Sequence, residues 1–387
     1  MKHFTYVISF SVLLILSFAV LSGCERTMDP GYIPPRVGPV ELPPLKVGLI
    51  HPYPNYTSFG KGAELARDEI NAAGGVLGMQ VELIFRKETT DTVVQSTQEL
   101  IEDENVVAIL GPLFSSHAVK VGPVTTVPVL LGATRAEVTA EETDPNDFMF
   151  LVAGSNALQA KLLAKVVRED LNAATAAMIW QDMDVYSVGF VNAFEKDFTS
   201  LGGMVGAKQT YQNNDVMMFD SQLAAVQATA PDVLLLASFP RAVPRIMEQA
   251  RAMGIASIFI GSDGWDDSLM FETLENNAPL ENSYYCTNLD PDATDFNSAY
   301  EARYGSVDGI AASGYDAMRI LAIALNTVGP KTPVGIRDAI AAITDYEGAT
   351  SISSFDENRN PVKSVGVRQI INEMPAPITD IIIESPQ

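Results

Sequence analysis

Hydroxyl groups and bare backbone gather at two points in the 387-residue chain. Ser115 and Ser116 lie just past the apolar run Val-Val-Ala-Ile-Leu (106–110), and Gly132, Ala133 and Thr134 follow Val-Pro-Val-Leu-Leu (127–131). Such hydroxyls act either as nucleophiles, with a base beside them, or as hydrogen-bond partners for a bound group. The sequence offers no base. Of three histidines, His3 lies in the leading segment, and His51 and His117 stand apart from any acid or cysteine at metal-ligand spacing. No Gly-Lys-Ser/Thr phosphate loop and no nucleophile elbow occur. Gly60-Lys61-Gly62 opens like a dinucleotide fingerprint, but it lacks the third glycine and stands well past the strand that ends at Ile50. Gly62 is therefore read as a helix-packing residue. Asp356–Asn360 begins like a calcium loop, yet Pro361 stands where glycine is needed, so it reads as a turn. No catalytic residue, metal site or cofactor is expected.

Binding remains. Open α/β sheets hold ligands at the C-terminal ends of their strands. Those positions carry Ser115, Ser116, Gly132, Ala133 and Thr134 in the first half of the chain, and Tyr186, Phe239, Asp263 and Trp265 in the second. Hydroxyls and free N–H groups suit a carboxylate, and the single acid Asp263, in Ile-Phe-Ile-Gly-Ser-Asp-Gly-Trp-Asp-Asp, suits an ammonium. Taken alone, each residue reads equally as an N-cap serine, a turn glycine or a core aromatic; the combination points to a ligand. Asp266 and Asp267 are expected to be exposed at the start of the next helix.

The elements that must position these groups alternate between strand and helix. Strands are predicted at 45–50, 80–87, 106–110 and 127–131, with a helix from Phe59 that ends at Gly74-Gly75 and another from about Asp91 to Glu104. The pattern then restarts: helix 156–171, strand 174–180, helix 185–201, strand 205–209, helix 219–229, strand 232–238, helix 242–253 and strand 257–261. Helices near 294–304, 313–328 and 333–342 and strands near 350–354 and 364–371 follow. Short, wholly apolar runs are the mark of parallel strands buried on both faces. Two such arrays of similar size predict an α/β protein with two doubly wound parallel-sheet lobes.

The ends and the composition bound the setting. Lys2 and His3 precede an apolar stretch and then Leu21-Ser22-Gly23-Cys24, which resembles a bacterial lipobox. Residues 1–23 are thus read as a lipoprotein signal peptide and Cys24 as the acylated residue. The proline-rich residues 24–44 read as a tether. That leaves Cys286 as the one other cysteine, expected to be a buried thiol. A formal charge of −23 argues against nucleic acid and against anionic lipid surfaces.

From about Leu45 to Glu373 the chain resembles the type I periplasmic substrate-binding proteins of branched-chain amino acid (Leu/Ile/Val-binding) ABC transporters. Lys46–Leu83, with its Asn-Ala-Ala-Gly-Gly-Val-Leu-Gly turn, and the runs Gly-Pro-Leu-Phe-Ser-Ser, Gly-Ala-Thr-Arg-Ala-Glu-Val-Thr and Phe-Ile-Gly-Ser-Asp-Gly-Trp carry the likeness. The resemblance implies two lobes joined by a three-stranded hinge, with lobe 1 at 45–152 and 289–350, lobe 2 at 153–288 and 351–387, and crossings near 150–156, 287–291 and 350–360. It implies that Ser115 and Thr134 meet a ligand carboxylate, that the backbone at Gly132 and the Asp263 carboxylate meet its ammonium, and that Phe59, Tyr186, Phe239 and Tyr315 line the pocket. Asp263 stands where branched-chain binders often carry Glu, the link between Ser115 and Thr134 is short, and phenylalanine replaces tyrosine at wall positions, so the side-chain pocket is expected to differ from that of a leucine binder. The implied protein is a monomeric, lipid-anchored, extracytoplasmic carrier of an amino acid or similar small carboxylate to ABC permease subunits, touching the membrane only through its anchor. A ligand-sensing module of the same fold and a serine hydrolase are the competing readings.

Overall fold

The computed structural model describes residues 42–213 and 216–384. Cys24, the signal-like segment and the tether up to residue 41 lie outside the described residues.

The first sheet is wholly parallel and runs Val81–Lys87, Leu45–His51, Ile109–Leu110, Val129–Leu131, Met149–Leu151 across its width. Its side chains alternate between two cores. Leu49, Leu110, Leu130 and Phe150 face one, while Ile50, Ile109, Val129, Leu131 and Met149 face the other. Both faces being buried is why these strands read as unbroken apolar runs. The strand within 106–110 is shorter than expected, Ile109–Leu110 alone.

The second sheet repeats the plan. Met204–Tyr211, Thr175–Gln181, Val233–Ala237, Ile258–Gly261 and Tyr284–Thr287 lie side by side in parallel, and Val365–Ile371 adds an antiparallel strand beyond them. Met178, Leu235 and Ile260 face one core; Ile179, Leu234, Leu236 and Phe259 face the other. Within each sheet the first strand in sequence sits between the second and third. The chain therefore reverses direction across the sheet between strands one and three, which opens a crevice at their C-terminal ends. That crevice lies past His51 and Leu110 in one sheet and past Gln181 and Ala237 in the other.

Helices Ser58–Ala72 and Gly309–Val328 cross closely on the first sheet. A Cβ at Gly62 would fall on the Ala311 carbonyl, and one at Gly314 on the Phe59 carbonyl. This is the packing role expected of Gly62. The expected cap at Asp91 is not used: that helix runs Val93–Glu102 with Thr92 at its N-cap and no side-chain bond there. Asp356 accepts from the backbone N–H of Asn358 and Asn360, as a turn does.

Three chain segments pass between the sheets. The first leaves Leu151 for the helix Asn156–Glu169, and the second leaves Thr287 for Thr294–Tyr304. The third follows a small antiparallel sheet, Tyr346–Glu347, Ser351–Phe355 and Pro361–Lys363, whose Ile352 still packs in the first core, whereas Val365 packs in the second. Gly154 N donates to Asn288 Oδ1 at 2.6 Å, and the buried Lys363 Nζ donates to the Val152 carbonyl at 3.1 Å and to Thr350 Oγ1 at 2.8 Å. The crossings are thus bonded to one another. Burial pulls the Lys363 pKa down to about 8, against the pull of Asp316.

Candidate functional site

Both crevices open onto one cavity, with about 470 Å³ of empty space that includes open solvent at its mouth. Tyr56, Leu113, Phe114, Ser115, Gly132 and Thr134 line it from the first sheet's loops. Tyr186, Phe239, Asp263 and Gly264 line it from the second, Ala153 and Asn288 from the crossings, and Ile310 and Ser313 from the helix Gly309–Val328.

Six of the eleven residues singled out from the sequence meet on this cavity: Ser115, Gly132, Thr134, Tyr186, Phe239 and Asp263. Ser116 opens instead onto an outer chamber shared with Lys87, His117 and Arg241. The other four lie behind the walls. Phe59 is fully buried beneath Gly132, where a Cβ would touch its ring at 2.9 Å. Ala133 points into the core on the far face of the first sheet. Trp265 is buried in the second lobe, its indole Nε1 donating to the Leu236 carbonyl at 2.9 Å. Tyr315 donates its hydroxyl to Glu69 at 2.6 Å and packs on Phe296, 4.8 Å between ring centroids.

The loops missed from sequence are informative. Phe114 adjoins Ser115 at the same strand end, so position alone would have found it. Asn288 belongs to a crossing and Ile310 and Ser313 to a helix, where no strand end marks them.

Rings close the cavity. Phe239 from the second lobe meets Phe114 edge-on at 5.2 Å and Tyr56 at 6.3 Å, both from the first, and stacks on Tyr186 at 5.0 Å. Arg135 Nη1 also crosses the gap to the Val185 carbonyl at 2.9 Å.

Asp263 sits at the start of a short turn of helix after Ile258–Gly261 and is buried. Tyr186 donates to its Oδ1 at 2.8 Å, and Asn288 Nδ2 lies 3.4 Å from its Oδ2. Tyr186 in turn accepts from Gly264 N at 2.8 Å. Neither lysine nor arginine contacts Asp263 among the described residues. Burial pushes its pKa up to about 6, against the bonds from Tyr186 and Gln159. The site thus holds a carboxylate that lacks a cation.

Asp266 and Asp267 are not exposed, as local sequence suggested: they are 3% and 5% accessible. Asp266 Oδ2 accepts from Thr287 Oγ1 at 2.5 Å and from Gly309 N at 2.7 Å, because the N-terminus of the helix Gly309–Val328 is brought against this turn from the other lobe. Asp308, the cap of that helix, accepts from Ala311 N at 2.7 Å and Ser58 Oγ at 2.6 Å. Burial raises the pKa of all three, Asp267 to about 6.

His117 proves to have an acidic partner after all. Its Nδ1 lies 2.8 Å from Oε1 of the buried Glu88, which also accepts from Leu113 N and Phe114 N, each at 2.9 Å. Glu88 thereby fixes the loop that presents Leu113, Phe114 and Ser115 to the cavity. Among the described residues, no group of three or more His, Cys, Asp or Glu could hold a metal ion.

Comparison with known proteins agrees with this geometry. A family model described as periplasmic binding protein matches residues 46–373. A Leu/Ile/Val-binding protein homolog 7 from Brucella abortus (strain 2308) is 25% identical over 347 residues, covering 81% of this chain and 86% of that one. The branched-chain amino acid transporter substrate-binding protein LivJ of Streptococcus pneumoniae, solved with isoleucine, superposes with a TM-score of 0.80 at 25% identity, covering 89% of this chain and 100% of the other. The leucine-binding protein LivK of Thermotoga maritima shares the fold at a TM-score of 0.80 and 24% identity, covering 88% and 99%. With two doubly wound lobes, a three-segment hinge and a cavity between them, the chain belongs to the periplasmic binding protein family and has its type I fold.

Proposed function

We propose that the protein is an extracytoplasmic solute-binding lipoprotein that captures an amino acid between its lobes and delivers it to an ABC permease. The buried, cation-free Asp263 carries this reading. A buried charge without a partner is costly, and a ligand ammonium supplies the partner. Ser115 lines the same cavity, its Oγ accepts from Arg135 N at 3.4 Å, and its hydroxyl proton suits the ligand carboxylate. The rings of Tyr56, Phe114 and Phe239, with Leu113 and Ile310, suit an apolar side chain. The isoleucine bound by the S. pneumoniae protein has this chemistry. Binding without covalent chemistry follows the family match and the relatives named as binding proteins.

In the proposed division, lobe 1 takes 45–152 and residues from 289, and lobe 2 takes 153–288 and the chain after the third crossing. Ile352 in the first core and Val365 in the second favour placing that crossing after the small antiparallel sheet, near Lys363, later than the sequence-based boundary at 350. Closure of the lobes traps the ligand. Acylated Cys24 and the residues up to 44 hold the body to the membrane, and the protein works as a monomer with the permease subunits as its partners.

Calorimetric titration of the protein with the L-amino acids tests the reading. Binding of an apolar amino acid is expected, with loss of at least a hundredfold in Asp263→Ala, because breaking a buried ion pair costs about 3–5 kcal/mol and about 1.4 kcal/mol is tenfold. Equal affinity in the variant, or tighter binding of the deaminated acid by wild type, defeats it.

A further inference from the structure

One buried side chain outside the cavity wall sets the polarity of a hydroxyl within it. Asn156, 3% accessible, begins the helix Asn156–Glu169 and stands behind Thr134. Its Nδ2 lies 3.1 Å from the Tyr186 carbonyl. A carbonyl only accepts, so the amide nitrogen must face it, and Oδ1 must face the other way. Oδ1 lies 2.6 Å from Thr134 Oγ1. An amide oxygen also only accepts, so Thr134 must donate its one proton there. Its Oγ1 then presents lone pairs alone to the cavity. The backbone carbonyl of Thr134 accepts from Asn156 N at 2.7 Å, which holds the two residues in register.

From this chain of bonds we infer that Asn156 is a positioning residue for ligand selection: it makes Thr134 an acceptor and so a second partner, with Asp263, for a ligand ammonium. The inference rests on the amino-acid reading above and changes the role of Thr134 within it. Ser115 then supplies the hydroxyl donor for the carboxylate, and Thr134 no longer does. An ammonium carries three protons and satisfies both acceptors. A 2-hydroxy acid has one proton to give, so in wild type either Asp263 or Thr134 faces it unsatisfied. In Asn156→Ala the Thr134 proton is released and can turn toward the hydroxy acid's oxygen.

The test compares each L-amino acid with its 2-hydroxy counterpart by calorimetry, in wild type, Asn156→Ala, Thr134→Val and the double variant. Wild type is expected to prefer the amino acid. Asn156→Ala is expected to reduce that preference about tenfold, the effect of roughly one hydrogen bond, and to have no further effect on it in the Thr134→Val background. If Asn156→Ala weakens both ligands alike, its role is structural and the inference fails while the amino-acid reading stands. If it changes the preference equally with Val at 134, it does not act through Thr134 and the inference again fails. Should no amino acid or hydroxy acid bind wild type, the functional reading fails and the inference with it. Circular dichroism melting of each variant separates loss of fold from these outcomes.

Discussion

The Tyr186 hydroxyl donates to Asp263 Oδ1 at 2.8 Å while accepting from Gly264 N at 2.8 Å, so the phenol bridges the acid to the backbone of its own turn. It stiffens the carboxylate without neutralising it. The acid keeps a pKa near 6 because burial outweighs the bonds.

Ligand binding should therefore be coupled to a proton. An ammonium lowers the pKa of Asp263 on binding, so ligand and proton compete below the unliganded value. Affinity is expected to be flat above pH 7 and to fall about tenfold between pH 7 and pH 5, with slope set by one group. Titrations in buffers of different ionisation enthalpy at pH 5.5 should show proton release. A flat profile down to pH 5 would mean that Asp263 does not meet the cation.

The ligand-free protein should gain stability on mild acidification. Asp263, Asp266, Asp267 and Asp308 all have raised pKa values, Asp263 and Asp267 to about 6, so the folded state binds more protons than the unfolded chain above the ordinary carboxylate range. Their destabilising effect is full at neutral pH and relieved as pH falls. Two groups of residues act in the opposite direction: the lowered carboxylates Asp68, Asp232 and Glu104 below their unfolded values near 4, and His51, which burial lowers from 6.5 to about 4, across that interval. Melting temperature is expected to rise from pH 7 toward pH 5, because four raised carboxylates outweigh the one lowered histidine. Asp266→Asn keeps an acceptor but removes a buried charge, so it should melt at or above wild type at pH 7.5, with a margin that shrinks as the pH falls.

Glu88→Gln should loosen the loop that carries Ser115. One amide oxygen cannot replace two carboxylate oxygens that accept from Leu113 N, Phe114 N and His117. Leaving a buried donor unpaired costs about 1–3 kcal/mol. Affinity for an amino acid should drop about tenfold, while the pH profile keeps its shape because Asp263 is untouched. A changed pH midpoint would place Glu88 in direct contact with the ligand.

Cys24→Ser should release the protein from the membrane fraction and abolish incorporation of a clickable fatty acid. Label retained in the variant would rule out this anchor.

The strand-and-helix order was legible because parallel strands buried on both faces, such as Val129–Leu131 and Val233–Ala237, appear as bare apolar runs. Ser115, Thr134, Tyr186, Phe239 and Asp263 were legible because each directly follows such a run or opens the helix after it. Burial beside a strand end was harder to read. Phe59 and Trp265 have the right chemistry for a wall, but each turns into a core, beneath Gly132 and against Gly261 respectively. Asp266 and Asp267 read as surface charges because nothing local shows that Gly309, more than forty residues on, returns to cover them. A separation of 22 residues likewise hides Asn156 behind Thr134.

Cys286 is fully buried, its Sγ 3.6 Å from the Gln159 carbonyl, and burial raises its pKa well above that of a free thiol. It stands one residue before Thr287, on the strand that feeds the second crossing. In a soluble Cys24→Ser protein it is the sole sulfhydryl, since the chain has two cysteines. The molecule therefore carries its own chemical clock. Alkylation of Cys286 by a small reagent proceeds only through openings that expose the second lobe beside the hinge, so its rate reports how often that region breathes, without any introduced label.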